Sequence, residues 1–156
     1  MHETRLAQLR ATQFVNDDTL IFQAYPGELQ IRGDIGCRGS IVVSVCKVLH
    51  VIDSGDIADP FVQTFEYSYN ASVRGYREFL RYDNAHPHPG HADHHHRHDL
   101  DWRTGAPLAG SPTWIGASGW PTLGTFLEQV ETWYWEHRDQ LPDPDGYPVL
   151  TPLRGT

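Results

Sequence analysis

The chain is poor in positive charge and in cysteine, and it has no long apolar run. Lysine and arginine number 12 against 20 aspartates and glutamates, which gives a formal net charge of −8. A broad nucleic-acid-binding surface needs positive charge, so this balance disfavours a general DNA or RNA binder, although it allows an enzyme with a local cationic site. A membrane-spanning helix needs about 20 apolar residues in succession, and no stretch of the chain approaches that length.

Several sorting and catalytic signals are also missing. Cys37 and Cys46 are the only cysteines, too few for a disulfide framework, so both are expected to be reduced thiols in a cytoplasmic protein. The N-terminal sequence MHETRLAQLRATQF mixes charges with leucine and does not have the apolar core of a secretory signal. The chain has no phosphate-binding glycine loop, no serine nucleophile elbow and no Rossmann fingerprint.

The apolar pattern predicts a single α+β domain over residues 1–156, with an antiparallel β-sheet as its core. The chain is long enough to form a stable hydrophobic core without disulfides or structural metal ions. Alternating or continuous apolar runs separated by turn residues predict about five strands joined as a meander within residues 18–99. The runs lie at 20–24, 29–32, 40–51, 61–70 and 76–83.

Helical spacing predicts a C-terminal helix over about residues 122–140, packed on the sheet. Its apolar face consists of Leu123, Phe126, Leu127, Val130, Tyr134, His137 and Leu141. Thr125 and Glu128 have the spacing of a capping box, and Pro142 ends the helix. A Gly/Pro/Trp loop at 104–121 precedes the helix, an extended tail at 142–156 follows it, and a short N-terminal helix is expected at residues 3–12.

Seven of the ten histidines fall between His86 and His98. A cloning tag would be an uninterrupted run at a terminus, and this tract is internal and interrupted. Metal-free RNA cleavage needs a base, an acid and a cation near the phosphate, and His96, Arg97 and His98 supply these types in sequence. An extended backbone would place His96 and His98 on one face and Arg97 on the other. Arg97 would then pair with a carboxylate or a partner.

Two residues upstream of the tract could complete such a catalytic site. Arg81 could serve as the phosphate cation, and Asp83 could orient a histidine through its ring N–H. The catalytic candidates are therefore His96, His98, Arg97, Arg81 and Asp83. No cofactor is required by this interpretation.

A metal site is the main alternative, and a solvated loop is the second. His-x-His with Asp83 or a further histidine is a plausible zinc or nickel site, and His86, His88 and His95 are further candidate ligands. In the loop alternative the histidines contribute little, and Asp83 and Asn84 only close a turn at the end of a strand.

The same region resembles the TumE family, the toxin halves of prokaryotic toxin–antitoxin pairs. The resemblance rests on Tyr67-Ser-Tyr69-Asn70, on Gly75, on Arg81-Tyr82-Asp83-Asn84-Ala85 and on His95-His96-Arg97-His98. It implies a toxin that blocks growth by acting on RNA, as an endoribonuclease. Tyr82, Asn84 and Tyr69 are then candidate substrate-binding residues, because aromatic side chains on sheets can stack on bases. Core packing is the more common role of such tyrosines.

The implied partners are an RNA substrate and a cognate antitoxin, with no membrane. The Gly/Pro/Trp loop offers apolar anchors beside the histidines, so the antitoxin is expected to contact Arg97 and at least one of Trp114 and Trp120. A homodimer is left open by the sequence.

Overall fold

The computed structural model describes residues 13–52, 61–84, 95–116 and 119–152. It contains an eight-stranded antiparallel sheet and a C-terminal helix, so the predicted α+β class is confirmed. The helix predicted at residues 3–12 lies outside the described residues. The strands are β1 Val15–Asp18, β2 Ile21–Tyr25, β3 Glu28–Cys37, β4 Ile41–Ile52, β5 Phe61–Val73, β6 Glu78–Asp83, β7 His96–Asp99 and β8 Thr113–Trp114.

The strand count of about five was wrong, because three short strands carry no clear sequence signal. Strands β3 to β8 follow one another across the sheet, and β1 and β2 both pair with β3. The missed strands are β1, β7 and β8, which have two to four residues each. Such segments are too short and too polar to show alternation, and they become strands because a neighbouring edge offers hydrogen-bonding partners.

One face of the sheet forms the hydrophobic core. On β4 the residues Ile41, Val43 and Val45 are at most 5% exposed, and on β5 the residues Tyr67, Tyr69 and Ala71 are fully buried. Because alternate residues of a strand point to the same face, these side chains form a continuous apolar layer. The other face carries mainly polar residues, and we call it the far face.

The C-terminal helix, α1, covers the apolar layer and runs from Leu123 to His137. Its cap is Thr122, whose Oγ1 accepts a hydrogen bond from the Thr125 backbone N–H at 3.2 Å. The capping box predicted at Thr125 is therefore wrong, because the helix begins two residues earlier. Five residues of the predicted apolar face are buried on the helix, namely Leu123, Phe126, Leu127, Val130 and Tyr134, and Phe126 packs on Tyr69 with 5.6 Å between ring centroids. Trp133, which lies outside the predicted face, stacks on Phe79 at 3.6 Å.

The segment after the helix packs back on the sheet. A 3₁₀ turn, Arg138–Gln140, leads into residues 141–152, which have no regular structure. Asp145 pairs with Arg38 and Arg138 at 2.6 and 2.8 Å. Gly39 has φ +84°, and a Cβ at this position would lie 2.8 Å from the Tyr134 ring. Within the described residues, no helix has the length and hydrophobicity required to span a lipid bilayer.

Candidate functional site

The strand register places a row of polar side chains across the far face. Arg32 lies opposite Cys46, Cys46 opposite Ser68, Ser68 opposite Asp83, and Asp83 opposite His96. Opposite residues on one face of antiparallel strands have Cβ atoms about 5 Å apart, so adjacent members of the row are close enough to interact.

A second row runs beside the first and ends on the other candidate histidine. It consists of Asp34, Ser44, Asn70, Arg81 and His98, again related by the register of neighbouring strands. Where β6 meets β7, the two rows form a block of four residues in which Asp83 faces His96 and Arg81 faces His98. The sheet therefore brings together four of the five residues predicted to be catalytic, although they are separated by up to 17 positions in the sequence.

Asp83 is the centre of this block. Its Oδ1 lies 3.0 Å from His96 Nε2, and its Oδ2 accepts a hydrogen bond from Arg81 Nε at 2.7 Å. The Asp83 and His96 side chains are each 1% exposed, whereas that of Arg81 is 32% exposed. The carboxylate is thus held between a buried imidazole and a guanidinium that reaches solvent, which fixes its orientation.

His98 extends the block toward the surface. Its ring centroid lies 4.8 Å from that of His96, with the rings at 75° to each other, and the residue is half-buried. One ligand atom from each of Asp83, His96 and His98 lies within 4.8 Å of the other two. Among the described residues, this is the only group of three or more histidine, cysteine or acidic side chains with that geometry.

Arg97 points to the opposite face of the sheet, as the alternation of an extended strand predicted. Its guanidinium pairs with Asp99 at 2.9 Å and donates to the Tyr82 hydroxyl at 2.9 Å. Burial opposes the charge of Arg97, but the hydrogen bonds and charge of Asp99 and Tyr82 outweigh it, so its pKa is raised. Arg97 therefore anchors β7 on the helix side and does not join the two histidines.

His95 also lies away from the block. Its Nδ1 is 3.3 Å from the Tyr67 hydroxyl, and its ring faces Trp120. Lys47 lies over the same Trp120 ring at 5.5 Å, and burial lowers its pKa. His95 is thus separated from Asp83, His96 and His98. The other two predicted metal ligands, His86 and His88, lie outside the described residues.

The three candidate substrate-binding residues, Tyr69, Tyr82 and Asn84, pack or form hydrogen bonds within the fold. Tyr69 is fully buried and Tyr82 is 3% exposed, so neither ring lies on a surface where a base could stack. The Tyr82 hydroxyl donates to Gln129 on the helix. Asn84 accepts a hydrogen bond from the Tyr67 N–H and donates to the Phe65 carbonyl, which ties the end of β6 to β5.

Sequence reasoning missed the remaining members of the two rows. Ser44, Ser68 and Asn70 lie on the far face of the two central strands, and Ser44 donates to Asp34 at 2.8 Å. In the sequence, these small polar residues alternate with the apolar or aromatic residues Val43, Val45, Tyr67 and Tyr69. The same alternation that predicts the buried face of β5 also predicts its polar opposite face.

Trp114 lies at the edge of the site. It is opposite His96 in the ladder between β7 and β8, within the segment predicted to be a Gly/Pro/Trp loop.

Comparison with protein families shows that a family described as Toxin TumE matches residues 4–133. Comparison with curated proteins and with solved structures gives no match.

Proposed function

The chain belongs to the TumE toxin family, and on that premise we propose that it inhibits growth by cleaving RNA at the block formed by Arg81, Asp83, His96 and His98. The observation that supports this proposal is the convergence of these four side chains on one face of two paired strands. Residues of these types supply cationic stabilisation and proton transfer, which are the requirements of phosphodiester cleavage.

The exposure of the four residues divides their roles. Arg81 and His98 reach the surface, so they can contact a phosphate and a ribose hydroxyl. Asp83 and His96 are buried beneath them and cannot touch a polymer. We therefore assign proton transfer to His98 and phosphate binding to Arg81, with Asp83 and His96 as positioning residues.

This assignment changes the two-histidine mechanism expected from the sequence. That mechanism required His96 and His98 to straddle one phosphate, and it gave a role to Arg97. His96 is 1% exposed, and Arg97 points to the other face. Cleavage at this site consequently needs a second reactive group besides the His98 imidazole.

The partners follow from the family. A toxin has to be restrained by a cognate antitoxin, and we propose that this antitoxin covers Arg81 and His98 in the cytoplasm. Carboxylates placed where RNA phosphates would bind would accept strong, directional hydrogen bonds from the Arg81 guanidinium and from the His98 ring N–H.

RNA cleavage by the purified full-length protein tests the proposal. His98→Gln should reduce the cleavage rate of a defined RNA oligonucleotide about 10²–10⁴-fold, the usual effect of removing a general acid or base. His50→Gln is the matched control, because His50 is a partly exposed histidine on the same sheet but outside the block. Equal cleavage by the wild type and His98→Gln, or growth inhibition without any RNA cleavage, would refute the proposal.

A further inference from the structure

We infer that Asp83, His96 and His98 bind one divalent transition-metal ion of the zinc class. The inference rests on the proposed function, because a bound ion would supply the second reactive group that the RNA-cleaving site needs. Two imidazoles and one carboxylate form the ligand set of many catalytic metal sites, in which the positions not filled by the protein are left for water or substrate.

The strand geometry favours this ligand set. His96 and His98 are two positions apart on β7, so their side chains lie on the same face, and Asp83 lies directly opposite His96 on β6. Three ligands from one pair of strands converge because the ladder fixes their spacing. No loop needs to be ordered to bring them together.

The distances are close to those that an ion requires. Metal bonds of about 2.0–2.2 Å to imidazole and carboxylate place neighbouring ligand atoms of a tetrahedral site roughly 3.3–3.6 Å apart. Asp83 Oδ1 and His96 Nε2 already lie 3.0 Å apart. The three ligand atoms lie within 4.8 Å of one another, so the half-buried His98 side chain has to move by about an ångström to complete the site.

The burial pattern is also that of a metal centre. Asp83 and His96 are each 1% exposed, which excludes them from contact with RNA but suits ligands that have to be shielded from water. Arg81 holds Oδ2 of Asp83, leaving Oδ1 directed toward His96. Groups that orient a ligand in this way affect metal affinity about 10–100-fold in other sites.

With His98 among its ligands, a bound ion would act beside Arg81 as a Lewis acid, and it would lower the pKa of a coordinated water, which would then take the proton-transfer role that His98 has in the metal-free site. In hydrolysis promoted by such an ion, a bond would form between the water oxygen and phosphorus, and the bond from phosphorus to the leaving ribose oxygen would break. The attacking water would give its proton to solvent, and the leaving oxygen would take one from solvent, because the three nearest titratable side chains would be held as ligands. No oxidant or reductant is required.

The test must separate this site from the rest of the histidine tract, since histidine-rich sequences bind metal nonspecifically. The background protein is therefore the full chain with His86→Gln, His88→Gln, His91→Gln and His94→Gln. After removal of metal, it is titrated with Zn²⁺ by calorimetry, and with Co²⁺ by absorption spectroscopy, which reports the coordination geometry.

We expect one Zn²⁺ site in this background. Adding His98→Gln should weaken its affinity by more than about 100-fold, because losing a ligand costs more than losing an orienting group. Adding His50→Gln should leave the affinity unchanged. The absence of a single micromolar site in the background protein, or an unchanged affinity in His98→Gln, would overturn the inference.

These binding measurements do not depend on RNA. If the ion binds but the metal-loaded protein cleaves no RNA, the proposed function fails and the metal site stands. If RNA is cleaved at full rate in excess EDTA by protein shown to be free of metal, the metal inference fails and the proposed function stands.

Discussion

Asp83 Oδ1 and His96 Nε2 lie 3.0 Å apart, in a part of the sheet where both side chains are 1% exposed. Removing His96 takes away the imidazole beside the buried Asp83 carboxylate, and loss of a partner from a buried polar group typically costs about 1–3 kcal/mol. Arg81 would still hold Asp83, so we expect His96→Ala to lose about 1–3 kcal/mol of unfolding free energy in urea denaturation.

His98→Ala is the matched control for this measurement. His98 is half-buried and lies at the outer side of the block, so its removal should cost less than about 1 kcal/mol. The two variants should therefore separate stability from function: both should lose toxicity, because His96 and His98 belong to the block, but only His96→Ala should also lose stability. A His96→Ala protein as stable as the wild type would contradict the structural pairing.

Tyr69→Phe tests whether this tyrosine has a role in substrate binding. The Tyr69 hydroxyl is buried and makes no hydrogen bond within the described part of the chain. Burial of a polar group without a partner costs about 1–3 kcal/mol. We expect Tyr69→Phe to be as stable as the wild type or up to about 2 kcal/mol more stable, with undiminished toxicity. A loss of toxicity in a stable Tyr69→Phe protein would restore the substrate-binding role suggested by the sequence.

Lys47 should make stability increase with pH in the alkaline range. Burial lowers its pKa in the folded protein, and Tyr67 lies opposite it on β5 while Trp120 lies under its ammonium. The unfolded chain therefore binds more protons between the folded pKa and the ordinary value near 10.5, so the unfolding free energy rises with pH across that window.

Lys47→Met removes this titration while keeping the apolar stem of the side chain. We expect the variant to be more stable than the wild type at pH 7, and the difference between the two proteins to shrink as the pH approaches 10.5. Urea denaturation at several pH values measures both quantities. A difference that is constant with pH would show that the lysine is not desolvated in the folded protein.

The antitoxin should protect the far face of β6 and β7. Hydrogen exchange of the free and neutralised toxin should show slower exchange at residues 81–83 and 96–99, where Arg81 and His98 reach the surface. The sequence had suggested contacts at Arg97 and at Trp114 or Trp120. Protection confined to the helix or to residues 13–37 would mean that the antitoxin acts from another side.

The two long central strands and the helix could be predicted because the regular spacing of apolar residues along the sequence shows which side chains are buried. Ile41, Val43 and Val45 recur at every second position of β4, and Phe126, Val130 and Tyr134 recur at helical spacing. The strand β7 could not be predicted with equal certainty, because HRHD has no apolar pattern. It becomes a strand through pairing with β6, and this pairing is a tertiary effect.

The candidate site was predictable in composition but not in arrangement. RYD and HRH each contain chemically active residues, and alternation within β7 separates Arg97 from His96 and His98. The sequence alone does not fix the register that places Asp83 opposite His96, and it does not tell which histidine is buried. Those two facts decide which residues can touch a substrate and which can only position one.

Arg97 gives the short strand β7 a second attachment. It donates to the Tyr82 hydroxyl, which in turn donates to Gln129 on α1. The backbone that carries His96 and His98 is thus clamped from both faces of the sheet, by Asp83 on one side and by this relay to the helix on the other. Such a scaffold has little conformational entropy left to lose when it captures a ligand. Its selectivity should accordingly be that of a rigid backbone on which only the His98 side chain adjusts, so ions or groups whose size this one adjustment does not accommodate are rejected.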